Sequence, residues 1–72
     1  MRLRELKNNK PDRFDYRGKE MVMVHYSMSA THKGKISDEI VWESEDRTIC
    51  INYYKGYIYA ENEQGEILSE VV

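Results

Sequence analysis

The sequence predicts a small all-β fold: an antiparallel meander of five to six strands. It would be curled either into an SH3-like or OB-like barrel or into a strongly bent open sheet. Two observations carry this. From Phe14 onward apolar residues recur at every second position, and β-branched and aromatic residues dominate with no helical period. The apolar runs are also separated by short stretches rich in turn formers, Gly18, "THKGK", "SEDR", "KG" and "NEQG".

The first twelve residues, "MRLRELKNNKPD", stand apart. Leu3 and Leu6 are three apart, the spacing of one helical turn, and Pro11 ends any such helix near Lys10. Residues 1–12 are therefore expected to be a basic arm or a short docked element, and residues 13–72 a single β domain.

Within that domain, Phe14 and Tyr16 alternate with polar residues before Gly18. "EMVMVHYSM" is expected to send Val22, Val24, Tyr26 and Met28 to the core and Met21, Met23 and His25 to the other face. "SATHKGK" is read as a loop. Ile36, Ile40 and Trp42 share a face in the next strand, as do Ile49, Ile51 and Tyr53 in the one after. A turn over 44–47 would pair Trp42 with Ile49 and Ile40 with Ile51. A two-residue turn at Lys55 and Gly56 would pair Tyr54 with Tyr57, Tyr53 with Ile58 and Ile51 with Ala60. These registers set apolar residues opposite apolar ones, and a one-residue slip would invert every side chain. Gly65 is expected in a left-handed conformation, with either Ile67 and Val71 or Leu68 and Val72 completing the core.

Seventy-two residues make one domain with a modest core, the size at which a disulfide, a metal or oligomerisation is a common support. The single cysteine, Cys50, excludes an internal disulfide and a Cys-rich zinc site. With no signal-type or membrane-length apolar run, it fits a reducing cytoplasm and no membrane partner. His25, His32 and Cys50 have no ligand spacing. Adjacent carboxylates such as Asp38 and Glu39 point to opposite faces of a strand, which defeats a shared proton. No catalytic residue, metal or cofactor is expected, and the chain is not read as an enzyme.

Charge is divided along the sequence. Residues 1–36 hold nine Lys/Arg against four Asp/Glu, and residues 37–72 hold two against nine, for a net −2. Tyr54, Tyr57 and Tyr59 fall on the face opposite the core, with Cys50 and Asn52. A contiguous aromatic patch marks an interface more readily than a solvated surface. The leading expectation is a protein-interaction module that occupies a basic surface of a partner protein. Tyr54, Tyr57 and Tyr59 would be its anchors, and Asp38, Glu39, Glu43, Glu61 and Glu63 its carboxylates. Compact chains of this composition suit accessory or inhibitory factors, including those carried by phages and mobile elements. The alternative is a nucleic-acid-binding barrel using Arg2, Arg4, Lys7, Lys10, Arg13, Arg17, Lys33 and Lys35, with Lys19 beside them, as a cationic groove. A homodimer through the tyrosine face is compatible with either.

Overall fold

In the computed structural model, which describes residues 2–68 (and the backbone alone at residues 29–32 and 37), a single antiparallel sheet carries one short helix. The helix α1 (Leu3–Asn9) is followed by β1 (Arg13–Tyr16), β2 (Lys19–His32), β3 (Lys35–Ser44), β4 (Ile49–Tyr54), β5 (Tyr57–Asn62) and β6 (Ile67–Leu68). The strands lie side by side in chain order, each paired with its sequence neighbours, and the sheet stays open. It is the open-sheet form of the expected meander, not the barrel.

Three of the hairpins turn on the same device. Arg17 and Gly18, Lys33 and Gly34, and Lys55 and Gly56 each join two strands with both residues at positive φ, between 49° and 83°. This is the type I′ geometry that matches the twist of antiparallel strands, and glycine takes its second position without a Cβ penalty. The basic-Gly pair at 33 and 34 shortens the expected loop: β2 runs to His32 and β3 begins at Lys35.

The core lies on one face, formed by Phe14, Tyr16, Met21, Ile40, Trp42, Ile49, Ile51 and Ala60, with Leu3 and Leu6 of α1 laid over it. Trp42 is its centre. Its ring meets Phe14 edge to face at 5.6 Å, and its Nε1–H donates to the Pro11 carbonyl at 2.8 Å. The helix ends where expected: Lys10 takes a left-handed conformation (φ 41°) and its N–H donates to the Leu6 carbonyl before Pro11. Lys10 then bonds Asp38 at 2.7 Å and lies over the Tyr53 ring. The hydroxyl of Tyr26 also bonds Asp38.

Two registers differ from the sequence reading. In β2 the faces are inverted at the start: Met21 is buried and Met23 packs on the core, while Val24 and Met28 are 55% and 60% exposed. The run "MVMV" is apolar at every position, so alternation cannot choose a face. The choice is made by β1, which sets Phe14 opposite Met21. Register shifts between Met23 and His25, and again between Ser27 and Ala30, then re-phase β2 against β3, so that Tyr26 lies opposite Ile40 but half exposed. Ile36, expected in the core, is 73% exposed, because β3 pairs with β4 only from Glu39 onward and residues 35–38 run past the sheet body.

Between β3 and β4 the pairing is Trp42 with Ile51 and Ile40 with Tyr53, two residues from the expected register. An even shift keeps every face, so the core assignments of Ile49, Ile51 and Tyr53 survive. The turn itself causes the shift. The buried Ser44 hydroxyl accepts the N–H groups of Thr48 (3.1 Å) and Ile49 (3.0 Å) and donates to Asp46 at 2.8 Å. Asp46 also accepts from Thr48. Thr48 is thereby committed to the turn. The β4–β5 register agrees with the sequence reading pair for pair. At the last hairpin Gly65 has φ 79° and Leu68, opposite Ala60, is the residue on the core side. Val71 and Val72 lie outside the described residues.

Acid should loosen this arrangement. The ammonium of Lys10 holds the Asp38 carboxyl below its ordinary value of 3.8. Lys19, Thr48 and Ser44 hold Asp46 well below the same range. A carboxyl with a depressed folded pKa stabilises the fold above its unfolded pKa, and that contribution is lost as pH falls through the folded value. Urea midpoints measured from about pH 6 to about pH 2 should fall below about pH 4. The Asp38→Asn variant should show a shallower fall. An equal slope in the variant would show that Asp38 carries none of it.

Candidate functional site

The face of the sheet turned away from α1 is built from the alternate positions of β2–β5, and the registers order its side chains into rows. Glu39, Tyr54 and Tyr57 lie across one row, Val41, Asn52 and Tyr59 across the next, and Glu43, Cys50 and Glu61 across the third. The tyrosines are there because β4 and β5 alternate about a two-residue turn. Tyr53 and Ile58 go inward, which sends Tyr54, Tyr57 and Tyr59 outward.

Tyr57 is 71% exposed, Tyr54 44% and Tyr59 38%. Lys55 at the turn reaches back over the Tyr54 ring, 5.2 Å from its centre. A shallow depression of about 270 Å³ opens between Glu39, Val41, Asn52, Tyr54 and Tyr59. The Nε2 of His25 lies 3.7 Å from Glu39. A wider depression of about 710 Å³ lies toward the other end, ringed by charges of both signs including Arg13, Glu20, Glu43 and Arg47.

Cys50 is half-buried between two carboxylates. Burial raises its pKa, and Glu43 and Glu61 raise it further, against a weak bond from Asn52. The thiolate is disfavoured there, the reverse of what a nucleophile needs. Among the described residues no group of His, Cys, Asp and Glu is arranged to hold a metal ion.

The structure thus brings together Tyr54, Tyr57, Tyr59, Glu39, Glu43 and Glu61. It separates the other two proposed carboxylates from them. Asp38 faces the core side, tied to Lys10. Glu63 sits in the loop after β5, at the opposite end from the Lys55 turn. Met21 and Met23 leave the outer face for the core, so the patch is less apolar than the sequence reading made it.

The basic residues do not converge on one groove. Arg2, Arg4 and Lys7 are exposed at the start of the chain and along α1. Lys10 bonds Asp38, and Arg13 pairs with Glu20 at 3.3 Å. Arg17 and Lys33 occupy turns at opposite ends of β2, with Lys35 beside the latter. Lys19 pairs with Asp46.

Comparison with protein-family models, curated proteins and solved structures finds no match to this chain. Among the described residues no helix is long and apolar enough to cross a membrane.

Proposed function

We propose that the chain is a protein-interaction module, with the outer face of β3, β4 and β5 as its binding surface and a Lys/Arg-rich protein surface as its partner. The observation that carries this is the shared face. Three exposed tyrosines share it with three carboxylates: Glu39 stands in the row of Tyr54 and Tyr57, Glu43 and Glu61 flank Cys50 two rows on, and among the described residues Glu43 and Glu61 are in no ion pair.

Tyrosine buries a large ring with little loss of rotamer freedom and keeps a hydroxyl for polar contact. Carboxylates at the edge steer a cationic surface into place and reject an anionic one. By covering a basic surface, the module would block whatever that surface otherwise holds, which is how an accessory or inhibitory factor of this size acts. The dispersal of the cations supports this reading over a phosphate-tracking groove.

Isotope-labelled protein titrated with Lys/Arg-rich and with neutral peptides tests the surface directly. Basic peptides should shift the amides of Glu39, Tyr54, Tyr57 and Tyr59, and added salt should weaken them. The double variant Tyr57→Ala, Tyr59→Ala should keep its fold and lose at least about tenfold in affinity, about 1.4 kcal/mol. If the perturbations track α1 with an oligonucleotide and ignore basic peptides, the proposal fails.

A further inference from the structure

The long strand β2 has an edge that the other described residues leave open. β1 covers it only at its start: the pairing ends at Arg13 with Val22, and a last bond runs from the Met23 N–H to the Asp12 carbonyl at 2.8 Å. From residue 24 to residue 32 β2 has β3 on one side and, among the described residues, no strand on the other. Of its apolar side chains, Val24 is 55% and Met28 60% exposed. Residues 21–32, "MVMVHYSMSATH", contain no Lys, Arg, Asp or Glu and no Pro. Edges that remain free in solution are normally blunted by such residues. Among the described residues two bulges interrupt β2, and they shorten the straight runs of the strand without closing its edge.

We propose that this edge pairs with the same edge of a second copy, so that two sheets join through β2 and its symmetry mate about a two-fold axis. An uncharged strand meets no like-charge repulsion when it lies beside itself, and it offers nothing to attract a charged peptide. The domain is small, with about ten core side chains, the condition in which self-association adds the missing burial.

The chain also sets the register. β1 stops a neighbouring strand at residue 24 and the Lys33 turn stops it at residue 32, so antiparallel pairing centres on Met28, within the second bulge, and brings the two copies of that bulge together at the axis. The Lys33 turn of each copy then falls beside the start of the other's β1, at the exposed Asp12. The tyrosine face is not used, so the pairing stands or falls independently of the proposed binding surface.

Light scattering over a concentration series should show mass rising from 8.6 kDa toward twice that value. Met28→Lys would place two ammonium groups together at the axis and should hold the protein at the monomer mass. The outer-face variant Tyr57→Ser, Tyr59→Ser should associate as wild type does. In a Cys50→Ser background, Met28→Cys should form an oxidised, cross-linked dimer readily, and the exposed Ile36→Cys should not. Hydrogen exchange on the unaltered protein gives a reading free of any variant: amides within 24–32 should gain protection as concentration rises. A constant 8.6 kDa mass with no such gain overturns the proposal. So does association that survives Met28→Lys and disappears with the tyrosine variant.

Discussion

Replacing Trp42 with alanine should leave the chain unfolded at room temperature. The side chain is fully buried, and three independent parts of the molecule converge on it. Phe14 of β1 presents its ring edge, Ile51 of β4 is its cross-strand partner, and the Pro11 carbonyl accepts its indole N–H. Truncating a buried Trp to Ala costs about 3–5 kcal/mol, and about 1–3 kcal/mol more where a polar partner is left unsatisfied. Typical domains hold about 0.05–0.15 kcal/mol per residue, which for 72 residues is roughly 4–11 kcal/mol in total. The loss is therefore comparable to the whole stability. Far-ultraviolet dichroism and amide dispersion should report a collapsed signal in the variant. Trp42→Phe separates the two parts of the effect. It keeps most of the apolar volume and loses the bond to Pro11, so it should fold with a urea midpoint between those of wild type and Trp42→Ala. A folded, cooperative Trp42→Ala protein would show that the core is organised elsewhere.

The sequence discloses the inner face of β3, β4 and β5 because each of these strands alternates clearly, and two errors of register were harmless or harmful according to parity. The β3–β4 turn is displaced by two residues, which leaves Ile49, Ile51 and Tyr53 where alternation puts them. In β2 the offset is odd at the start of the strand, and the faces exchange. Nothing in "MVMV" announces this, since both parities are apolar. The deciding information is the pairing of Met21 with Phe14, a contact between strands. Bulges are equally hidden, because the extra residue is defined only relative to its partner strand. The tyrosine face was legible for the opposite reason: a two-residue turn at Lys55 and Gly56 fixes both flanking strands at once. The separation of Asp38 from Glu39 follows from strand alternation alone. The bond from Asp38 to Lys10, however, depends on where α1 lands.

Removal of residues 1–10 is the second large effect, and it distinguishes a structural segment from a mobile binding arm. In the sheet the core face would be open to water without α1. Leu6 is fully buried and Leu3 nearly so, both within the same cluster as Trp42 and Ile51. The helix lies against β5, and its last bond is made by Lys10, whose ammonium ties Asp38. A seven-residue helix has no stability of its own, so α1 exists because the sheet binds it, and the sheet is dry because α1 covers it. The truncated chain should therefore fail to fold cooperatively, or fold only in an aggregated form through its uncovered face. Leu6→Ala should cost about 2–5 kcal/mol, the range for emptying a fully buried leucine site. Arg4→Ala and Lys7→Ala, on the exposed side of the same helix, should change stability by less than about 0.5 kcal/mol. Urea denaturation of the four proteins measures the contrast. If truncation leaves the midpoint unchanged, α1 is an appendage and its basic residues would need a role outside the fold. If Leu6→Ala falls and the two charge variants do not, the segment is part of the core, held by its buried leucines and not by its charges.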